Sequence, residues 1–247
     1  MVKLTIDGIQ VEAEKGTSIL HAAESVGIKI PTLCYIKDLL PDGSCRMCMV
    51  EIENRGRTKM ETACTAQVAE GLVVTTNSEK VRNARRNILD MLLSNHKTDC
   101  FSCPSNGDCK LQELCFEYGI ERTTYSGEQT ELPIDDSNKF FTYNPNLCIL
   151  CHRCVNTCHK IVGRGAIDTM ERGFDSAIGT PFHIDWADTN CESCGNCVQA
   201  CPTGALTMKR RKNYRKYQID KKVLTTCPHC ATGCQYYLVV RDNKVVD

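Results

Sequence analysis

The chain has 247 residues, 19 of them cysteine, and its 30 basic side chains balance 30 acidic ones, so the formal net charge is zero. Small secreted proteins held by disulfides use cysteine this often. The present chain is long and opens without an apolar leader, which argues against that class. No run of about 18 apolar residues occurs, so we expect no membrane-spanning helix.

The hydrophobic fraction of 42% includes the cysteines, so the hydrocarbon available for an ordinary core is below the usual level of globular domains. Bonds between metal and thiolate can supply folding free energy that a thin core cannot. Because disulfides are rare in reducing compartments, the composition predicts a cytoplasmic metalloprotein.

The cysteines fall in five groups, within which steps of three or four residues recur. Such short steps let two thiolates from one turn reach the same metal centre. The sequence therefore predicts several metal centres in succession. The groups are Cys34, Cys45, Cys48 and Cys64; Cys100, Cys103, Cys109 and Cys115; Cys148, Cys151, Cys154 and Cys158; Cys191, Cys194, Cys197 and Cys201; and Cys227, Cys230 and Cys234.

The first group follows a predicted hairpin over residues 2–13, with its turn at Asp7-Gly8, and a predicted helix over 17–26. Four thiolates at this place suit a [2Fe-2S] cluster, with a four-cysteine zinc site as the alternative. Ten residues separate the first two ligands, whereas plant-type ferredoxins have four. The predicted ligands are Cys34, Cys45, Cys48 and Cys64.

This arrangement resembles the amino-terminal iron-sulfur region shared by the large subunit of respiratory complex I, [FeFe] hydrogenases and NAD-dependent formate dehydrogenases. The resemblance covers residues 1 to about 210 and implies an α+β protein built from small cluster domains. It implies a β-grasp [2Fe-2S] ferredoxin-like domain, a helical segment with a cluster held by one histidine and three cysteines, and a two-cluster bacterial ferredoxin-like domain.

The second group follows a predicted helix that starts at a capping box, Thr76-x-x-Glu79, and has apolar residues at helical spacing from Val81 to Leu92. The next residues are similar to the one-histidine, three-cysteine [4Fe-4S] motif of the same family, and zinc is again the alternative. Cys115 lies past this motif and is interpreted as a buried structural thiol. The predicted ligands are His96, Cys100, Cys103 and Cys109.

The third and fourth groups form an internal repeat, in which Cys-x2-Cys-x2-Cys-x3-Cys recurs 43 residues later. In bacterial two-cluster ferredoxins the fourth cysteine of each run ligates the other cluster. The repeat departs from that pattern in having His159 after Cys158 and a long insertion. His152 and His159 are unneeded as ligands. The two predicted [4Fe-4S] sets are Cys148, Cys151, Cys154 and Cys201, and Cys158, Cys191, Cys194 and Cys197.

The fifth group, Cys227, Cys230 and Cys234, resembles the opening of the [4Fe-4S] domain of molybdopterin-dependent formate dehydrogenases but has no fourth cysteine after it. Three interpretations remain open. A further [4Fe-4S] cluster would take its fourth ligand from Cys115, a partner subunit or solvent. Alternatively, the three thiolates hold zinc, or the segment binds no metal.

The expected domains are residues 1–76 for [2Fe-2S], 77–125 for the one-histidine cluster and 138–210 for the two-cluster ferredoxin. A basic linker, 211–222, and a truncated molybdopterin-oxidoreductase-type hairpin segment, 223–247, follow. The basic run from Lys209 to Lys216 has tyrosines among it, as a single-stranded nucleic-acid site would. With zero net charge, a solvated linker or docking strip is the preferred interpretation, and we expect no nucleic-acid partner.

No dinucleotide, flavin or catalytic motif is apparent, since Gly163-Arg164-Gly165 is only a fragment of a dinucleotide-binding loop. The resemblance implies an electron-relay subunit with one [2Fe-2S] and three [4Fe-4S] clusters. It would work with a flavoprotein NAD(P)H-oxidoreductase subunit, a small thioredoxin-like [2Fe-2S] subunit and another redox or catalytic subunit. Hydrogenase, formate dehydrogenase and electron-bifurcating transhydrogenase complexes are candidates. A truncated catalytic subunit is the main alternative, and a zinc-binding interaction protein a remote one.

Overall fold

A computed structural model describes residues 1–247, leaving out only the side chains of Lys212 and Asn213. The first 76 residues form a five-stranded sheet in the order β2-β1-β5-β3-β4, in which β1 and β5 are parallel and the other neighbours antiparallel. The strands are β1 (Val2–Ile6), β2 (Ile9–Ala13), β3 (Met49–Asn54), β4 (Arg57–Thr62) and β5 (Val73–Thr75).

One face of this sheet is buried against helix α1 (Ile19–Ser25). The apolar residues of β1 alternate with polar ones, as a strand with one buried face requires, so that Leu4 and Ile6 point into the core. Helix α1 begins two residues later than the spacing predicted, because the Ser18 hydroxyl accepts a hydrogen bond from the His21 amide and caps the helix there.

Helix α2 (Glu79–Ser94) has the predicted periodicity, but the predicted capping box at Thr76 is wrong. The cap is Ser78, whose hydroxyl accepts a hydrogen bond from the Val81 amide at 3.2 Å. Thr76 is used elsewhere: its amide and hydroxyl donate to the carboxylate of Asp7 in the first hairpin. The helix therefore starts only after the chain has been tied to the sheet.

Helix α3 (Lys110–Glu117) packs against α2. Arg85 of α2 contacts both the residue that follows α3 and the start of strand β3. The Arg85 side chain is 3% exposed. Its guanidinium donates one hydrogen bond to the Tyr118 hydroxyl at 3.0 Å and one to the Met49 carbonyl, next to Cys48, at 2.8 Å. One buried cation thus fixes α2 relative to both neighbours.

The second half of the chain is built around a short antiparallel pair that brings the two halves of the cysteine repeat together. Strand β6 (Phe141–Tyr143) pairs with β9 (Leu206–Met208). Helix α4 (Arg153–Asn156), which continues as a π-helical turn over Thr157–Ile161, packs against α5 (Asn196–Ala200). The insertion between them carries the hairpin of β7 (Asp168–Met170) and β8 (Ala177–Gly179).

A separate three-stranded antiparallel sheet ends the chain, made of β10 (Lys221–Thr226), β11 (Gln235–Arg241) and β12 (Lys244–Val245). Most of its side chains are exposed. Across the part of the chain that the structure describes, no helix has the length and apolar character that crossing a bilayer requires.

The basic run before this sheet is less solvated than expected. Arg211 and Lys216 both pair with Asp108, the residue before Cys109. Tyr214 is 6% exposed, and its hydroxyl donates to the carboxylate of Asp247. Tyr217, by contrast, is exposed. Part of the run therefore fastens the C-terminal sheet to the loop that carries Cys109.

We predict that Arg85→Ala lowers the free energy of unfolding by about 2–4 kcal/mol, because two buried acceptors lose a charged donor. The measurement is the midpoint of thermal unfolding under anaerobic conditions. Arg57→Ala, at an exposed position of β4, is the matched control and should leave the midpoint close to that of the parent protein. Equal effects of the two substitutions would refute the proposed role of Arg85.

Candidate iron-sulfur cluster sites

The four cysteines of the first group lie in one buried site at the edge of the five-stranded sheet. Each is at most 7% exposed. The hydrogen bond between the Cys45 thiol and Cys34 lowers the pKa of Cys34 and raises that of Cys45. Cys64 donates to Cys48 in the same way, so the pKa of Cys48 falls and that of Cys64 rises. Two close sulfur pairs therefore share the site.

In the second predicted site, His96 lies just after the end of α2, and its imidazole is buried, with 7% exposure. Its Nδ1 atom has no hydrogen-bond partner in the described part of the structure. Burial lowers the pKa of His96 to about 4, so the ring is neutral near pH 7. A neutral imidazole with a free ring nitrogen is the form that binds metal. An unpaired buried nitrogen is also costly unless a ligand satisfies it.

The three thiols that follow His96 influence one another electrostatically. Burial raises the pKa of Cys109 to about 11, and Cys103 and Cys100 add to that rise. Cys103 lies against the loop after Cys201: a Cβ atom built on Gly204 would lie 2.6 Å from the Cys103 sulfur. This loop therefore approaches the Cys103 thiol so closely that a methyl group at position 204 would have to displace it.

The third and fourth groups bring their cysteines together crosswise. One small cavity is lined by Cys148, Cys151, Cys154 and Cys201. A second small cavity is lined by Cys158, Cys191, Cys194 and Cys197. In each case three thiols come from one half of the repeat and the fourth comes from the other half. The arrangement is that of the two predicted ligand sets.

Burial is the main cause of the thiol pKa shifts in these cavities. It raises the pKa of Cys148, Cys151 and Cys197 to about 12. At Cys151 the backbone amide and the positive charge of Arg153 oppose the rise. Without metal these thiols are neutral and pack as small apolar groups, whereas ligation requires their thiolate forms.

Sequence reasoning missed a repeated backbone geometry in these loops. Leu150 and His152 have φ of 50° and 59°, and the equivalent Ser193 and Gly195 have 55° and 77°. Each turn aims an amide at the first sulfur of its run, since Leu150 N donates to Cys148 Sγ and Ser193 N to Cys191 Sγ, both at 3.4 Å. The signal in the sequence is Gly195, where the second half has the residue that tolerates positive φ.

The two histidines of the repeat differ in their surroundings. His159 Nε2 donates to the Ile167 carbonyl at 2.9 Å and lies 3.5 Å from the Asp168 carboxylate. His152 lines the cavity of Cys148. Each cavity already has four thiols, so neither imidazole is needed to complete a ligand set.

Among the described residues, the structure shows no fourth protein ligand beside the fifth group. Cys230 and Cys234 are exposed at the open end of the β10–β11 pair, where the Cys227 amide donates to the Cys234 carbonyl at 2.8 Å. Cys115 packs instead in a buried cluster with Leu111 and Leu114 on α3. Cys115 is therefore buried as expected, and its packing gives no support to the interpretation that it completes this site.

The donor sets consist of thiols and one imidazole, the ligand types that iron-sulfur clusters and zinc sites use. Among the described residues, no three Cys, His, Asp or Glu side chains are close enough to hold one metal ion. The thiols of the third and fourth groups line two small cavities. A tetrahedral zinc site would draw four sulfurs to about 2.3 Å from one point.

One chain in a crystal structure of NAD+-reducing [NiFe]-hydrogenase in the H2-reduced state has the same fold. The two superpose with a TM-score of 0.78 at 30% identity, covering 84% of this chain and 87% of that chain. The chain belongs to the family of iron-sulfur regions shared by complex I large subunits and NAD(P)-linked hydrogenases. Members are mixed α+β proteins with 2Fe-2S and ferredoxin-like 4Fe-4S domains.

Four family models match successive parts of the chain. A 2Fe-2S iron-sulfur cluster binding domain matches residues 1–79, and the NADH-ubiquinone oxidoreductase-G iron-sulfur binding region matches 85–124. The ferredoxin-like domain of NADH-quinone oxidoreductase subunit 3 matches 140–207, and a 4Fe-4S dicluster domain matches 190–237. One 2Fe-2S domain and several 4Fe-4S domains are thus indicated.

Curated relatives are subunits of redox enzymes. Subunit alpha of the NADPH-Fe(3+) oxidoreductase of Geobacter sulfurreducens is 42% identical over 99% of this chain. NADP-reducing hydrogenase subunit HndD of Solidesulfovibrio fructosivorans is 39% identical over 83%. The mitochondrial 78 kDa subunit of NADH-ubiquinone oxidoreductase of Candida albicans is 38% identical over 84%. The chain spans only 28%, 36% and 28% of the length of these three relatives, respectively.

We predict that Gly204→Ala displaces Cys103 and selectively weakens iron binding at the site predicted for His96, Cys100, Cys103 and Cys109. Anaerobically purified protein should lose about 4 iron atoms per chain, the content of one [4Fe-4S] cluster. Gly179→Ala is the matched control, because its new methyl meets only the flexible Met170 side chain and its φ is not positive. Full iron content in Gly204→Ala would contradict the assignment of Cys103.

Proposed function

We propose that the chain is an electron-transfer subunit that relays single electrons between a flavin- and NAD(P)H-linked partner and another redox module. It would bind one [2Fe-2S] cluster and three [4Fe-4S] clusters. Each cluster supplies reversible one-electron oxidation and reduction, and the protein fixes the spacing, burial and hydrogen bonding of the clusters. No catalytic centre for a substrate is assigned to these residues.

The observation that carries the proposal is the crosswise convergence of the third and fourth groups on two cavities. Two cavities, each lined by four thiols, suit a pair of electron-relay centres. A hydrolytic enzyme with one metal ion would not require two such sites. The ligands proposed are those predicted: Cys34, Cys45, Cys48 and Cys64 for [2Fe-2S], and three sets for [4Fe-4S]. These sets are His96, Cys100, Cys103 and Cys109; Cys148, Cys151, Cys154 and Cys201; and Cys158, Cys191, Cys194 and Cys197.

Amide donors to sulfur support a redox role for these sites. Met47, Leu150 and Ser193 each donate a backbone N–H to the sulfur two residues before. Such bonds stabilise the more negative, reduced state of a cluster and so tune its potential. The same device at three sites is what a relay with matched potentials needs.

The proposed partners are a flavoprotein NAD(P)H-oxidoreductase subunit, a small thioredoxin-like [2Fe-2S] subunit and a further redox or catalytic subunit, in a cytoplasmic complex. The relatives support this, since their names describe subunits that act with NADH, NADPH or NADP. At Cys227, Cys230 and Cys234 we propose a further metal site, a [4Fe-4S] cluster or zinc, that takes its fourth ligand from a partner or solvent.

The deciding experiment is the iron, sulfide and zinc content of anaerobically purified protein, with electron paramagnetic resonance spectra after reduction. We expect about 14 iron atoms per chain, or about 18 with the C-terminal site filled, from the iron content of the cluster types. Stoichiometric zinc without a signal in the reduced state would refute the relay and favour a zinc-binding interaction protein.

We predict opposite outcomes for two substitutions of His96. His96→Cys should keep a cluster and lower its potential, because an anionic thiolate replaces a neutral imidazole. His96→Ala should lose about 4 iron atoms while the other centres stay intact. Redox titration followed by electron paramagnetic resonance measures both. Unchanged potentials in the two variants would show that His96 is no ligand.

A second candidate function is the amino-terminal part of a catalytic formate dehydrogenase or hydrogenase subunit. The similarity to a subunit of NADP-reducing hydrogenase favours it. The reading frame next to the coding sequence distinguishes the two: a continuation encoding a molybdenum or hydrogen-activating domain supports the catalytic subunit, and a separate flavoprotein gene supports the relay.

A further inference from the structure

The ten-residue gap between Cys34 and Cys45, in which this chain departs from plant-type ferredoxins, forms a loop over residues 35–44 that we call the docking loop. Two ligands of the proposed [2Fe-2S] site, Cys34 and Cys45, lie immediately before and after this loop. Its own residues contact the helix that carries the third cysteine group. The insertion therefore contributes contacts between two sites.

Arg153 makes the central contact of this interface. It lies between Cys151 and Cys154 at the first position of α4, and its side chain is partly buried. Its Nη1 donates a hydrogen bond to the backbone carbonyl of Tyr35, the residue after Cys34. Its Nε donates one at 2.6 Å to the backbone carbonyl of Ala200, the residue before Cys201. One guanidinium thus joins peptide groups beside ligands of two proposed clusters.

Two further polar contacts lie along the same helical segment. Asn156 Nδ2 donates to the Asp42 carboxylate in the docking loop, and Lys160 lies 3.7 Å from the same carboxylate. Cys34 and Cys45, which flank the docking loop, also share an apolar cluster with Ile149 and Cys151. Polar contacts near both ends of the docking loop and this apolar cluster therefore hold it in place.

We propose that Arg153 is a positioning residue that fixes the docking loop on α4 and so sets the distance between the [2Fe-2S] site and the site of Cys148, Cys151, Cys154 and Cys201. The inference rests on the proposed function, because the distance between the two sites matters only if electrons pass between clusters bound there. The planar guanidinium presents several donors in a fixed fork and holds two carbonyls at once, which an ammonium cannot do with the same geometry.

The guanidinium also places a permanent positive charge beside both sites. A cluster gains one negative charge on reduction, so a nearby cation favours the reduced form. Positioning and charge are separable by substitution. Arg153→Lys keeps the charge and loses the double contact, while Arg153→Gln loses both.

The test compares Arg153→Lys and Arg153→Gln with the same two substitutions at Arg172, an exposed arginine of the same domain. The first readout is hydrogen exchange of residues 35–44. The second is the magnetic coupling between the reduced [2Fe-2S] and [4Fe-4S] centres in electron paramagnetic resonance. The third is the midpoint potential of each centre.

Both Arg153 variants should show severalfold faster exchange in the docking loop and an altered coupling, and Arg153→Gln should also lower both potentials. The Arg172 variants should match the parent protein. Parent-like exchange and coupling in both Arg153 variants would overturn the inference. If the Arg153 variants fail to accumulate, Asp42→Ala removes the second contact of the docking loop and should raise exchange in the same residues.

Failure of the proposed function is a separate outcome. In that case the parent protein itself lacks the two cluster signals, and hydrogen exchange still reports whether Arg153 fixes the docking loop. Unchanged exchange in Arg153→Gln would then reject the positioning role independently of any metal.

Discussion

The crossing of Cys158 and Cys201 between the two cavities is the constraint on which the rest of the structure depends. For Cys201 to line the cavity of Cys148, the ends of a segment of 54 residues, from Cys148 to Cys201, must meet. The β6–β9 pair closes that segment, and the Asn144 amide donates to the Ala205 carbonyl at 2.7 Å beside it. Thr203 Oγ1 then donates to the Leu147 carbonyl at 2.8 Å.

Because Cys201 must reach the cavity of Cys148, the turn after Cys201 contacts three parts of the molecule. Gly204 contacts the sulfur of Cys103, and the Pro202 carbonyl accepts a hydrogen bond from the Lys110 amide at 2.8 Å. The preceding Ala200 carbonyl accepts from Arg153. A displacement of this one turn would therefore reach the second and third cysteine groups and, through Arg153, the docking loop. Contacts at this one turn therefore link the proposed sites although their ligands are far apart in sequence.

The sequence was most informative where chemistry needs a fixed spacing. The two-half cysteine repeat predicted the crosswise sets of thiols that line the two cavities, and the apolar periodicity predicted α2 from Val81 to Leu92. The cap of α2 could not be chosen between Thr76 and Ser78, because Thr76 is taken by Asp7, 69 residues earlier in the chain. Likewise, nothing local to the basic run signals that Asp108 pairs with Arg211 and Lys216.

The cysteine groups differ in how far their thiols are exposed to solvent, which the sequence pattern does not reveal. All four thiols of the first group are at most 7% exposed, whereas Cys194 of the fourth group is exposed at the surface. Solvent exposure and the dielectric around a centre help to set its potential and decide how closely another redox centre can approach. A partner can come nearer to the thiol of Cys194 than to any thiol of the first group. The two ligand sets of the internal repeat differ in the same way, because Cys194 is exposed whereas none of Cys148, Cys151, Cys154 and Cys201 is, so two chemically similar sets have different access to a partner.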